Sequence, residues 1–351
     1  MAILATLLVV MPVSFSRAAT GPGEAPSPAA VKHQVVEKSK EDGKKEEAGE
    51  KKEEAKEDEC PSTFGPIITD TAVPIEKGKF AIQPTWGLSF VTHTFSPSWR
   101  RVSAGGNFQS FGMSIKLTYG LLNNLEVYTV IPYIHNWAGS VNAPGPQGER
   151  SADFGGIGDI NLTFKYRLLE EGPKAPTVSA IFATTFPTGH FRHLNPRFLG
   201  IDAIGGGSYA FTTGFNLSKW LKPFIFYGNL YYTWQTSFTT EETIFTDDAG
   251  AIGNPIQRRT HPRDFIVANL AVEYPINKKW VALLELTSTW DAGRLVGPQA
   301  NGPPTSLLSL LPGIEYMATE KFSLALGVNI DLAGKNTDAN ITPLLSMVYV
   351  F

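Results

Sequence analysis

The decapeptide DINLTFKYRL, residues 159–168, alternates strictly between apolar and polar side chains. One face carries Ile160, Leu162, Phe164, Tyr166 and Leu168, and the other carries Asp159, Asn161, Thr163, Lys165 and Arg167. A period of two predicts a β-strand, and about ten residues is the length that a tilted strand needs to cross a bilayer. Soluble β-sandwiches alternate in the same way, so the period alone leaves two fold classes open.

The pattern repeats along the chain, for instance in SFGMSIKLTY (110–119) and KFSLALGVNID (321–331). Alternation and turn residues together predict twelve strands. Their predicted bounds are 79–95, 107–120, 123–135, 156–168, 177–187, 204–215, 221–236, 264–275, 279–290, 305–317, 321–332 and 341–351.

Long polar connections alternate with tight ones, and this favours a membrane barrel. The predicted long connections are 96–106, 136–155, 188–203, 236–263, 291–304 and 333–340. Outer-membrane barrels have short periplasmic turns and long outer loops, whereas a sandwich gives no reason for strict alternation. We therefore predict an all-β, transmembrane, up-and-down antiparallel β-barrel of about twelve strands in the bacterial outer membrane.

Aromatic residues beside the tight turns support this prediction. If the four similar turns lie at one height, two rows of rings result, formed by Tyr119, Phe215, Tyr274 and Tyr316 and by Trp220, Trp280 and Phe322. Such rows are typical of the girdle at a membrane interface. The alternative interpretation is a set of core aromatics beside the hairpin turns of a soluble protein.

The chain ends in LLSMVYVF, residues 344–351, which alternates to the last residue. A barrel explains this end, because its last strand must pair with its first to leave no open edge in lipid. The residues on the larger apolar face also resemble the assembly signal of bacterial outer-membrane proteins; they are Leu345, Met347, Tyr349 and Phe351.

The N-terminal sequence predicts export. Residues 1–19 resemble a signal peptide, with an apolar core and a small-x-small cleavage site, although no basic residue precedes the core. The alternative is a buried N-terminal helix. Residues 37–59 contain seven lysines and eleven acids, so we expect residues 20–60 to form a disordered, charged, periplasmic segment. The barrel domain is predicted at 61–351, with 61–78 either a plug or a lead-in to the first strand.

Little in the sequence indicates an enzyme. It contains no Gly-x-Ser-x-Gly, Cys-x-x-Cys or phosphate-loop motif, and its single cysteine, Cys60, excludes an internal disulfide. The spacing of His135, His190, His193 and His261 fits no zinc pattern. We predict no catalytic activity, metal or cofactor. The net charge of −3 gives no support for a nucleic-acid partner.

Charged residues at inward positions of the predicted strands are candidates for lining the lumen. They are Lys116, Glu126, Asp159, Lys165, Arg167, Glu273, Glu285, Glu315 and Asp331. Two interpretations remain open, a polar constriction that selects solutes and a salt-bridged interior that fills the barrel. A twelve-stranded barrel lies between the filled eight-stranded and the open sixteen-stranded types.

The central hairpin resembles a known family. Gly156, Gly158 and Asp159 open a strand that ends in Lys165, Tyr166 and Arg167, and the next strand ends in Pro187, Thr188 and Gly189. This pattern is similar to that of the outer-membrane family named for a "putative meta-pathway of phenol degradation", and residues 65–80 resemble its entry to the first strand. His190 stands where the family often has an acid.

The resemblance implies a porin-like channel or transporter for small molecules, aromatic or hydrophobic ones included. The alternative function is a structural or interaction barrel that anchors the charged segment or the surface loops to a partner. The expected partners are membrane lipid, the outer-membrane assembly machinery and a small-molecule solute.

Overall fold

The computed structural model describes residues 63–141, 150–242 and 256–351, and in addition two short strands at the N-terminus. The predicted charged segment and most of the predicted signal peptide lie outside the described residues. In chain order the strands are β1 Ile3–Leu4, β2 Ser16–Arg17, β3 Phe80–Phe95, β4 Arg101–Val102, β5 Asn107–Leu122, β6 Leu125–Gly139, β7 Ala152–Ile157, β8 Ile160–Leu169, β9 Thr177–Phe186, β10 Ala210–Leu221, β11 Phe224–Gln235, β12 Phe238–Glu242, β13 Ile256–Thr260, β14 Asp264–Pro275, β15 Trp280–Gly293, β16 Ser306–Thr319, β17 Phe322–Lys335 and β18 Thr337–Val350.

A single 3-10 turn, Pro196–Phe198, is the helical element within the described ranges, and the Asn195 side chain caps its N-terminus. No described helix has the length and apolar character required to cross a membrane.

Twelve strands form one closed antiparallel barrel in which neighbours in the chain are neighbours in the wall. β7 and β8 both pair with β6 and together make the fourth strand of the wall. β18 pairs with β3, for example Leu345 with Trp86, and this pairing closes the barrel. Closure leaves no edge of unpaired backbone groups, which is the condition for a β-structure in lipid. The predicted fold class is confirmed.

The two faces of the barrel wall differ in polarity. In β8, Phe164 and Tyr166 are exposed on the outside, whereas Asn161, Thr163 and Lys165 are buried inside. An apolar exterior around a polar interior is the pattern of bacterial outer-membrane barrels and the reverse of a soluble core. The chain is therefore an outer-membrane protein. Since short turns face the periplasm in such barrels, we call the end with the short turns the periplasmic end.

The sixth strand was predicted wrongly. It was placed at 204–215, but β10 runs from Ala210 to Leu221, and the turn to β11 lies at Lys222 and Pro223. Residues 216–221 continue the alternation and pair with β11. The turn falls where Pro223 cannot donate a ladder hydrogen bond.

This shift removes two residues from the predicted aromatic girdle. Phe215 lies six residues before the end of β10, well away from the turn, although its side chain is exposed on the outside. Trp220 has inward parity and packs against a cluster of buried residues inside the barrel, formed by Ile225, Tyr227 and Ala271.

The predicted long connection 333–340 is also wrong. β17 ends at Lys335 and β18 begins at Thr337, so Asn336 alone forms the turn, with φ of 52°. Asparagine tolerates this left-handed conformation better than most residues. The hairpin of β17 and β18 therefore continues through residues whose polarity had predicted a loop.

The loop between β9 and β10, residues 187–209, folds into the outer mouth of the barrel. Its buried Ile201, Ala203 and Ile204 pack against Ile134 and Ala138 of β6. Within the loop, a Cβ on Gly205 would lie 2.6 Å from backbone atoms of Gly189. Two glycines are therefore needed where the loop backbone crosses itself.

Candidate functional site

Residues 63–76 lie inside the barrel, in its periplasmic half, and we call them the lumen segment. All residues from 63 to 72 are buried. At one end Phe64 packs against Met317 and Val348, close to the turn between β16 and β17. At the other end the Gly78 amide donates to the Gly120 carbonyl (2.8 Å), and the chain enters β3. The segment thus enters and leaves at the periplasmic end and crosses the lumen between.

Glutamates of two neighbouring strands, β15 and β16, hold the first half of the lumen segment by its backbone. The carboxylate of Glu285 accepts hydrogen bonds from the amides of Ile67 (2.6 Å), Ile68 (3.0 Å) and Thr69 (2.6 Å). The carboxylate of Glu315 accepts from the amide of Phe64 at 3.2 Å. Hydrogen bonds to a charged acceptor are among the stronger ones in proteins. The wall therefore binds this half of the segment through backbone groups that every residue carries, and the side chains of Ile67 and Ile68 add a buried apolar cluster with the wall.

The hydroxyl of Thr63 completes this contact. It lies 2.7 Å from Glu315 and 3.1 Å from Glu273, which also accepts from the hydroxyl of Tyr227 at 2.8 Å. Every buried glutamate of β14, β15 and β16 therefore has donors from the lumen segment.

Asp70 is the central charge of the lumen segment. Its carboxylate lies 3.0 Å from Nζ of Lys165 and 3.5 Å from Nζ of Lys116, and it accepts a hydrogen bond from Nδ2 of Asn216 at 2.8 Å. Lys165 also pairs with Glu126 at 2.9 Å. The result is a four-charge cluster of two lysines and two carboxylates, assembled from the segment and three strands.

Asparagines fix the backbone of Asp70 as well. Asn229 accepts from the Asp70 amide at 2.9 Å and donates to its carbonyl at 2.7 Å. Asn269 donates to Asn229 at 3.2 Å and extends the network to β14. Asp70 is thereby held from both sides of the lumen.

The second half of the lumen segment is held by smaller polar groups and one carboxylate. The Ala72 amide donates to Ser218 Oγ at 2.8 Å, and the hydroxyl of Ser179 donates to the Ala72 carbonyl. The amide of Ile75 donates to Glu126 at 2.6 Å. Glu126 therefore belongs both to the charge cluster and to the attachment of the segment.

Two other carboxylates lie apart from the lumen segment. Asp159 accepts from the amides of Gly189 (2.8 Å) and Gly206 (2.7 Å), so it anchors the loop 187–209. Asp331 accepts from Ser309 Oγ at 2.6 Å and from the Asn340 amide at 2.9 Å, and it links β16, β17 and β18 inside the wall.

Asp202 is a further carboxylate inside that loop. Its Oδ2 accepts from the Asn195 amide at 2.7 Å. Burial raises the pKa of Asp202 above its usual range, because the surroundings of the carboxylate disfavour its charged form.

The nine predicted lumen residues do not form a single site. Eight are buried within the barrel, and the ninth, Arg167, lies at the periplasmic rim, where it contacts the Asn123 carbonyl (3.3 Å) and Glu170 (3.4 Å). Three of the eight meet in the charge cluster (Lys116, Glu126 and Lys165), and three face the first half of the lumen segment (Glu273, Glu285 and Glu315).

Sequence reasoning missed Asp70, Asn216 and Asn229. The available signal was the imbalance among the predicted lumen residues, six acids against three bases. Buried carboxylates need donors, and the prolines at 66 and 74 mark residues 65–78 as a segment outside any strand.

The predicted assembly-signal residues line the outer face of β18 and the chain end, where Tyr349 and Phe351 are exposed. Their ring centroids are 4.7 Å apart, and the Phe351 amide donates to the Phe80 carbonyl at 2.8 Å.

The four histidines that were considered for a zinc pattern lie in different contacts, and His135 lies 3.6 Å from Asp153. His190 meets the Asp202 carbonyl, His193 meets Glu241, and His261 meets Ser237. Over the described ranges, no group of three or more His, Cys, Asp or Glu side chains is arranged to hold a metal ion.

Comparison with known proteins identifies relatives by family and by fold. Residues 101–341 match the family described as "Putative MetA-pathway of phenol degradation". No curated protein matches the chain. An outer membrane channel from Pseudomonas putida F1 is similar in structure, with a TM-score of 0.61 at 18% identity over 80% of this chain and 98% of that chain.

Two other solved structures are similar at lower scores. The translocator domain of the autotransporter NalP from Neisseria meningitidis gives a TM-score of 0.45 at 13% identity, over 78% of this chain and 89% of that chain. The Ralstonia pickettii toluene transporter TbuX gives 0.41 at 10% identity, over 79% and 90%.

Proposed function

Because the chain belongs to the family described as "Putative MetA-pathway of phenol degradation", we propose that it is an outer-membrane channel for small molecules, aromatic or hydrophobic ones included, that the lumen segment closes. The family description supports aromatic compounds as solutes. The similar barrel from Pseudomonas putida F1 is an outer membrane channel by its own description.

The observation that carries the proposal is the polar attachment of the lumen segment. Amide-to-carboxylate bonds hold Ile67, Ile68 and Thr69, and charge pairs hold Asp70. Water can replace such partners. The apolar packing of Phe64, Ile67 and Ile68 against the wall, which water cannot replace, is the contact that withdrawal of the segment gives up. The inner face of the wall also carries buried hydroxyl groups, among them those of Thr85, Ser89, Ser114, Thr163 and Thr212. A segment held in this way can leave behind a lumen that tolerates water.

Lipid and the assembly machinery are the other partners that we propose. The apolar outer face supports contact with lipid. The outward row Leu345, Met347, Tyr349 and Phe351 supports recognition by the machinery that inserts barrels. Thr63 lies at the periplasmic end, which supports a periplasmic position for residues 20–60 after removal of a signal peptide at residues 1–19.

A second candidate function is an anchor without transport. It is favoured by the filling of the lumen from both ends, by the lumen segment and by the loop 187–209. In that case the barrel holds the charged segment or the outer loops at the membrane for a partner.

The experiment that separates the two is conductance in planar bilayers, with the full-length protein compared with a variant lacking residues 63–76. The channel proposal predicts a steady conductance at least about tenfold higher in the variant, because removal of the segment clears the part of the lumen that it fills. A variant lacking residues 20–60 is the control, and it should conduct like the full-length protein.

If the variant lacking 63–76 shows heat-modifiable migration on a denaturing gel, and is therefore folded, but conducts no more than the full-length protein, the channel proposal fails. The anchor interpretation then gains support.

A further inference from the structure

We propose that Lys116, Lys165 and Asn216 form a carboxylate-binding site, which Asp70 occupies in the closed barrel and which takes the carboxylate of a small organic acid when the lumen segment withdraws. This inference rests on the proposed function, because it requires a segment that moves. It adds a substrate class, small organic carboxylates.

Three donors from three strands converge on a single carboxylate. Nζ of Lys165 lies 3.2 Å from Oδ1 and 3.0 Å from Oδ2 of Asp70, and Nδ2 of Asn216 lies 2.8 Å from Oδ2. Nζ of Lys116 lies 3.5 Å from Oδ1. Both oxygens are thus engaged, in the manner in which proteins bind a carboxylate ligand.

The wall fixes the donors before the carboxylate arrives. Oδ1 of Asn216 accepts from the hydroxyl of Tyr231 at 2.5 Å and from Nδ2 of Asn229 at 3.1 Å. Because two donors occupy the oxygen of this amide, its nitrogen must point towards Asp70. The aromatic ring of Tyr128 covers Lys116, with Nζ 3.9 Å from the ring centroid. These contacts belong to the strands, so they persist when the segment leaves.

The charges of the wall favour an anion at this place. With Asp70 present, the two lysines face two carboxylates, Asp70 and Glu126. When Asp70 leaves with the segment, two lysines face Glu126 alone, and the wall carries a net positive charge between low-dielectric walls. This charge attracts an anion in place of Asp70, and the fixed donors suit a carboxylate.

The first test is chemical rescue of Asp70→Ala in the full-length chain. We expect the temperature of the heat-modifiability transition to fall in this variant, and acetate to restore at least about 3 °C relative to chloride at equal ionic strength. Acetate should not raise the transition temperature of Asp70→Asn, because the asparagine side chain fills the same space. The double variant Asp70→Ala with Lys165→Met should also gain nothing, because it lacks a donor. If Asp70→Ala does not fold in chloride, the folded yield on refolding with acetate replaces the melting measurement.

The second test is competition in the natural chain. Acetate or benzoate should accelerate hydrogen exchange of the amides of residues 67–72 at least about threefold, since each binds the state without the segment. Methylammonium chloride at equal ionic strength should not, and Lys165→Met should abolish the effect.

Rescue together with competition supports the proposal. Rescue without competition overturns it, because the site then serves Asp70 alone. Absence of rescue overturns it as well. Neither measurement uses conductance, so failure of the carboxylate site and failure of the channel are separate results.

Discussion

The carboxylate of Asp70 lies 3.0 Å from Nζ of Lys165, and both side chains are completely buried. One belongs to a segment that precedes the first barrel strand, and the other belongs to the fourth strand of the wall. An ion pair in such a place contributes little net stability when intact, but losing one partner leaves the other charge without compensation. This pair therefore couples the position of the lumen segment to the integrity of the barrel.

Replacement of Lys165 should be far more damaging than replacement of its neighbour Arg167. Lys165→Gln leaves Asp70 and Glu126 with one lysine fewer, and we expect a loss of about 3–5 kcal/mol in the free energy of unfolding. Arg167→Gln changes a pair at the rim and should cost no more than about 1 kcal/mol. Denaturant unfolding in detergent micelles measures both values, and equal losses would contradict the burial of the pair.

Glu285→Gln should loosen the lumen segment. Both oxygens of this carboxylate accept amide hydrogen bonds, so the NH2 group of glutamine must meet at least one N–H as a second donor. Hydrogen exchange of the amides of residues 67–69 should accelerate about tenfold or more, since one charge-assisted bond is worth roughly 1.5–3 kcal/mol.

The matched control for this variant is Glu320→Gln, because Glu320 is exposed in the turn between β16 and β17. Hydrogen exchange of the amides of residues 67–69 should be unchanged in Glu320→Gln. Unchanged exchange in Glu285→Gln as well would mean that the carboxylate does not hold the segment.

Gly205→Ala should displace the loop 187–209. The new Cβ would lie 2.6 Å from the backbone of Gly189, and overpacking of this kind costs about 1–3 kcal/mol. Limited trypsin digestion should then cut faster after Arg192 and Arg197 in the loop. Gly172→Ala is the control, since no atom lies within 4 Å of its added Cβ. Equal digestion of the two variants would show that the close approach in the loop is not required.

Loss of Phe351 should reduce assembly. The amide of this residue donates to Phe80 at the junction of the last and first strands, and its ring lies against Tyr349. Deletion, or Phe351→Asp, should lower the heat-modifiable fraction in the outer membrane severalfold, whereas Phe351→Tyr should retain it. Normal yield in the deletion variant would argue against a role for the chain end in assembly.

Periodicity was sufficient to predict strands and their two faces, because the side-chain alternation of a strand is a local property. The alternation of long and short connections was needed to choose the barrel over a sandwich. Periodicity placed Lys165 on the inner face without reference to any other residue. The partner of Lys165 was not predictable in this way, since Asp70 lies outside every strand and 95 positions earlier in the chain.

The sequence-based predictions failed at places where tertiary contacts determine the local structure. Residues 204–208 were predicted as the start of a strand, and the structure instead places them in the loop 187–209, where Ile204 packs with Ile201 in the outer mouth. Asn336 and its polar neighbours indicated a loop, although a single left-handed asparagine turns the chain.

The most direct test of the account is a reversible lock on the lumen segment. The hydroxyl oxygens of Thr71 and Ser218 are 3.3 Å apart, so Thr71→Cys with Ser218→Cys, in a Cys60→Ser background, places two sulfurs within reach of a disulfide. Conductance in planar bilayers is then recorded from one preparation before and after reductant, with both single-cysteine variants as controls. The account predicts a silent barrel when oxidised and channel openings after reduction, while the single-cysteine variants do not respond. The same conductance in both states would contradict closure by the lumen segment.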